Sequence, residues 1–146
     1  MLKDLRLLLT SALLVLALTG ATPSAAAERT KPPRATLATF SGLWLGHTRR
    51  LTITPSGRAR EHIDDGCCSP VISLSFQLLQ PQGTTDHARV SVRVTSVKLY
   101  NETIYWENRA RPRVGQQGWL RLKANVLAES FTGVTFCRGR TSRCGA

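Results

Sequence analysis

The sequence predicts an all-β fold: one antiparallel, disulfide-tied domain of about seven to eight strands, built as a barrel or a sandwich. Three observations predict it. Past the N-terminal leader, no stretch keeps apolar residues at helical spacing for three turns. Apolar and polar residues instead alternate with period two over several segments. Turn-forming residues recur about every ten to fifteen positions. Closure into a barrel is slightly preferred, because it leaves no open strand edge in a chain with few helices to cover one.

The elements follow in order. Met1 to about Ala27 reads as a secretory signal peptide. Lys3 and Arg6 give a positive start, Leu7 to Leu18 an apolar run, and Ala25-Ala26-Ala27 a cleavage pattern. The apolar run is shorter than the roughly 20 residues a membrane helix needs, and no second such run follows. Residues 28–38, with Lys31, Pro32, Pro33 and Arg34, read as a flexible arm. The β-domain is assigned to residues 39–146. Leu43, Leu45, His47, Arg49, Leu51 and Ile53 fall at even spacing, opposite Trp44, Gly46, Thr48, Arg50 and Thr52. Pro55-Ser56-Gly57 is a turn, and Arg58 to Ile63 returns as the second arm of a hairpin.

Asp64-Asp65-Gly66 makes the next turn. Ile72, Leu74, Phe76 and Leu78 then alternate with Val71, Ser73, Ser75 and Gln77, the cleanest half-buried strand in the chain. Pro81 to Asp86 is a polar loop. Ala88, Val90, Val92, Val94 and Ser96 form one face of the following strand, and Arg89, Ser91, Arg93 and Thr95 the other, with a small kink before Tyr100. Ile104-Tyr105-Trp106 is a short apolar patch, Arg109 to Arg113 a loop, and Val114 to Gly118 a turn. Trp119 to Lys123, Val126-Leu127 and Ser130 to Phe136 supply the last strands.

Without its leader the chain has roughly 119 residues, a single-domain length. Four cysteines, Cys67, Cys68, Cys137 and Cys144, are an even set in a short exported chain, which favours disulfides over metal ligation or redox chemistry. Two patterns are open. Cross-links from Cys67 and Cys68 to the C-terminal tail are preferred; a local Cys137–Cys144 bond is the alternative. The formal charge is +11, most of it from arginine. Such a balance fits contact with a polyanion, although an arginine-rich proteome would also produce it.

Few residues point to chemistry. His47, Glu61 and His62 are the candidate functional polar residues, but adjacent strand residues such as Glu61 and His62 point to opposite faces and make no dyad by themselves. His62 with Asp64 or Asp65 makes only a weak cation site, so no metal and no cofactor is expected. No Gly-x-Ser-x-Gly elbow or phosphate-cradling glycine loop is present. Arg58 with Arg60, Arg89 with Arg93, and Arg111 with Arg113 are the candidate polyanion-binding residues. Asn101-Glu102-Thr103 matches a glycosylation acceptor, which matters only in a eukaryotic secretory pathway.

Gly42-Leu43-Trp44, Gly46-His47-Thr48-Arg49, Gly57, Cys137 and Cys144-Gly145-Ala146 together resemble small exported actinobacterial proteins. That resemblance spans about Phe40 to the C-terminus and implies no activity. The Gly-x-Trp opening also resembles lipocalin-like barrels, which implies that Trp44 closes a barrel floor. The expectation is a secreted, non-enzymatic β-domain that binds an anionic envelope polymer, a small ligand or another exported protein, with nucleic acid disfavoured as a partner. A small ribonuclease-like hydrolase, or an inhibitor or toxin, is the alternative.

Overall fold

The computed structural model describes residues 31–66, 69–101, 111–139 and 144. The leader, the Cys67-Cys68 pair, Ile104 to Trp106, Arg109 and two residues of the glycosylation motif lie outside the described residues. A short 3-10 helix, Leu37–Phe40, precedes eight strands: β1 Gly42–Gly46, β2 Arg49–Ile53, β3 Arg58–Asp64, β4 Pro70–Gly83, β5 His87–Leu99, β6 Gln117–Lys123, β7 Val126–Glu129 and β8 Thr135–Arg138. Each strand pairs antiparallel with the next, and β8 pairs back onto β1, so the sheet is a closed barrel and not a sandwich.

This up-and-down order fixes two rims. The first carries the 3-10 helix and the β2–β3, β4–β5 and β6–β7 turns. The second carries the β1–β2, β3–β4, β5–β6 and β7–β8 connections. The segment read as an arm is tied to the first rim. Ala35 N–H donates to the Gly83 carbonyl at 3.0 Å, and Thr85 N–H donates to the Pro33 carbonyl at 3.1 Å.

Inward-facing side chains fill the barrel. Trp44, Phe40, Phe76 and Phe136 are the largest, with Leu51, Leu74, Val90, Val92, Leu120 and Leu127 between them. Trp44 belongs to this core. It is fully buried, and its indole N–H donates to the Phe40 carbonyl at 2.8 Å, which roots the 3-10 helix at the first rim. The Arg138 guanidinium lies 4.6 Å from the centre of its ring and donates to the Thr39 carbonyl at 3.0 Å.

Four expectations are corrected. The even spacing from Leu43 to Ile53 is not one strand. A two-residue turn at His47-Thr48, with Thr48 at φ 56°, pairs Gly46 with Arg49 and resets the alternation. Trp44 and Gly46 point inward with Arg49, Leu51 and Ile53, while Leu43 is exposed and His47 sits in the turn, away from the Leu51 face. Second, β4 runs on through Pro81 to Gly83, where a loop was expected. Third, the kink in β5 is a bulge. Ser75 pairs with Ser96 but Phe76 with Val94, which leaves Thr95 as the extra residue and turns Ser96 outward.

Fourth, Ser130 to Val134 is a loop and only Thr135–Arg138 a strand, because the Glu129 carboxylate captures the loop's backbone N–H groups as a cap would. The preferred cysteine cross-links are also overturned. Cys137 is bonded to Cys144, seven residues on, with Cα atoms 5.7 Å apart. That bond uses both C-terminal sulfurs, so neither is left for Cys67 or Cys68. Among the described residues no helix is long and apolar enough to cross a membrane.

Candidate functional site

Two polar assemblies stand out, one inside the barrel and one on its wall. The inner one lies toward the second rim, where Arg49, Glu61 and Glu129 occupy inward positions otherwise held by apolar residues. Arg49 Nη1 donates to Glu61 Oε1 at 3.1 Å and to the Thr132 hydroxyl at 2.6 Å. That hydroxyl donates to Glu129 Oε2, also at 2.6 Å. Glu129 further accepts the backbone N–H groups of Phe131 and Thr132. One cation thus links two carboxylates through a threonine relay that holds the β7–β8 loop.

Phe131 of that loop packs against the inward-facing Phe76, with ring centres 5.9 Å apart. Gly118 on β6 makes the room. A Cβ there would lie 2.7 Å from the Phe131 ring and 2.5 Å from Ser130 Oγ. The loop is therefore folded in against the core at the second rim.

Burial sets the electrostatics of this cluster. Desolvation, and secondarily the Glu129 charge, push the Glu61 carboxyl up to about 7, against the opposing pull of Arg49. Glu129 is raised as well, again by burial, while its hydrogen bonds from Thr132 and Phe131 hold it back. Among the described residues, Glu61 Oε2 is buried without a hydrogen-bond partner.

The outer assembly spans β2 to β6. Its cross-strand rungs are set by register. Arg58 faces Gln77, Gln77 faces Arg93, and Arg93 faces Gln117. One rung along, Thr52, Arg60, Ser75 and Ser96 align, and beyond them Arg50, His62, Ser73 and Lys98. Cations on β3 and β5 therefore flank β4, whose residues in these rungs, Ser73, Ser75 and Gln77, are neutral hydrogen-bonding groups. A groove of about 880 Å³ runs here, lined by Arg50, Arg58, Arg60, His62 and Gln77 and passing the Thr95 bulge. Among the described residues, none of Arg50, Arg58, Arg60, Arg93 or Lys98 is ion-paired.

The sequence-derived candidates divide between these places. Arg58, Arg60, Arg89 and Arg93 lie on the outer wall, and Arg111 and Arg113 are exposed on the segment leading to β6. Arg49, by contrast, is inside. Glu61 is buried in the lumen, whereas His62 faces outward opposite Arg50 and Ser73. His47 sits at the second rim and His87 at the first, so the three histidines do not meet. Among the described residues, no three His, Cys, Asp or Glu side chains converge as a metal site.

Arg49 and Glu129 were missed as a functional pair with Glu61, although a signal existed. Ala59-x-Glu61-x-Ile63, Arg49-x-Leu51-x-Ile53 and Leu127-x-Glu129 each place a charge on the apolar parity of a strand. Comparison with protein-family models, with curated proteins and with solved structures gives no match.

Proposed function

We propose that this protein is an exported, non-enzymatic β-barrel that binds an anionic envelope polymer through the outer wall of β2–β6. The observation that carries the reading is the register of that wall: cations on β2, β3 and β5 repeat in rungs, interleaved with Ser, Thr and Gln, and without carboxylate partners among the described residues. Rows of this kind neutralise a linear polyanion while the neutral residues hydrogen-bond between its charges. The filled lumen favours the wall over the interior as the binding surface. The opposite orientation of Glu61 and His62 supports binding over a hydrolase, because a general base and its partner must share one side of the sheet.

Retention of the mature, oxidised protein on an immobilised sulfated or phosphorylated polysaccharide, measured across a salt series, tests this. Retention should fall steeply with salt, and the Arg58→Gln/Arg60→Gln/Arg93→Gln variant should elute at markedly lower salt while keeping its circular-dichroism spectrum. Equal elution of variant and parent, or no retention of the parent at low salt, would refute the reading.

A further inference from the structure

A separate feature of the wall, on β5 and β6 near the first rim, carries a more specific inference. Arg89 and Arg121 are direct cross-strand partners, and two residues toward the rim His87 faces Lys123. Like charges set opposite each other on one sheet face repel and weaken the pairing. Here no described carboxylate relieves the repulsion. Both guanidiniums instead rest on one indole. The Arg89 and Arg121 guanidinium carbons lie 5.4 Å and 5.0 Å from the centre of the Trp119 ring. Trp119 is two residues before Arg121 on β6 and diagonal to Arg89, the position from which a large ring reaches both. Stacking on an aromatic ring restrains each guanidinium while leaving its N–H edges available. A hollow of about 320 Å³, lined by Gln82, Gly83, His87, Arg89, Arg121 and Lys123, opens beside the pair. That is the lower end of the size range of small-ligand sites.

We propose that Arg89 and Arg121, held by Trp119, form a clamp for a phosphate group, with Lys123 and His87 closing its rim side. The chemistry selects phosphate over carboxylate. A planar carboxylate is satisfied by a single guanidinium fork, whereas a tetrahedral phosphate offers oxygens to two forks and an ammonium at once. Phosphate can come from a free or terminal monoester or from within a phosphodiester polymer. Only the polymer source rests on the reading of the β2–β5 groove.

Indole N–H resonances of the 15N-labelled, oxidised mature protein provide the test, with Trp119→Phe identifying the relevant signal. Titration with glycerol 3-phosphate should move that signal saturably, and galacturonate at equal ionic strength should not. Arg89→Gln and Arg121→Gln should each weaken binding at least ten-fold, and Arg121→Lys, which keeps the charge but loses the fork, should weaken it as well. A phosphodiester oligomer that binds more tightly than glycerol 3-phosphate supports the polymer source, and one that binds equally supports a clamp for isolated phosphate. No saturable shift, an equal response to galacturonate, or a titration indifferent to Arg89→Gln would overturn the clamp. The Arg58→Gln/Arg60→Gln/Arg93→Gln variant should keep this titration, so failure of the groove and failure of the clamp are read separately.

Discussion

Replacing Glu61 with glutamine should flatten the pH dependence of stability. Glu61 is fully buried, and its carboxyl titrates near 7 in the folded barrel against 4.5 for an exposed glutamate. A carboxyl raised on folding binds its proton more tightly in the native state. Its contribution is therefore complete below about 4.5 and is lost as pH rises through about 7. At about 1.4 kcal/mol per pH unit, that interval corresponds to about 3 kcal/mol. Glu129, raised in the same direction, adds to the same slope. Urea unfolding of the parent and of Glu61→Gln, followed by tryptophan fluorescence from pH 4.5 to 8, isolates the Glu61 part as the difference between two slopes. Glutamine mimics the protonated carboxyl at all pH values, so the variant should lose less stability than the parent as pH rises. A constant offset from the new amide leaves that comparison intact. Parallel pH curves, or a parent that gains stability between pH 5 and 7.5 relative to the variant, would refute the reasoning.

Three further outcomes are expected. Thr132→Val removes the hydroxyl between Arg49 and Glu129. It should cost about 1–3 kcal/mol in urea unfolding and speed hydrogen exchange at the Phe131 amide. Gly118→Ala drives a methyl into Ser130 and the Phe131 ring. It should destabilise by about 1–3 kcal/mol, with a smaller penalty when Phe131 is also changed to Leu, as a double-mutant cycle would report. Cys137→Ser/Cys144→Ser opens only a short loop. It should cost about 2–3 kcal/mol and leave the β-type circular-dichroism spectrum unchanged.

The strands most legible in the sequence were those whose two faces differ most. β4 from Ile72 to Leu78 and β5 from Ala88 to Val94 each set apolar residues against Ser, Gln and Arg, and both lie as their alternation implies, whereas Val71, expected with Ser73 on the polar face, is buried. The Pro55-Ser56-Gly57 hairpin carried its own turn chemistry. The β1–β2 turn did not. It places Thr48 at positive φ with no Gly, Asn or Pro within its two residues, and although it switches the inward parity, Leu43 and Leu45 on the outward parity of β1 extend the spacing of Leu51 and Ile53 across it. β6 to β7 shows the contrast, because its turn puts Asn125 at φ 66°, a conformation asparagine accepts readily. The wall cations were visible as residues, but their alignment into rungs depends on register, which no local pattern encodes. The buried Arg49, Glu61 and Glu129 come from three strands distant in sequence, and only their shared parity with apolar neighbours marked them. Cysteine pairing was undetermined for the same reason, since it depends on where the tail travels after β8.

The barrel is joined along a short seam. Among the described residues, β1 and β8 meet through two residue pairs, Trp44 with Arg138 and Leu45 with Cys137. Both lie beside the Trp44–Arg138 stack and the Cys137–Cys144 bond, which ties the tail back onto β8 where that strand meets β1. A cylinder opened at this join would leave β3 to β6, with the wall they carry, paired through their longer ladders.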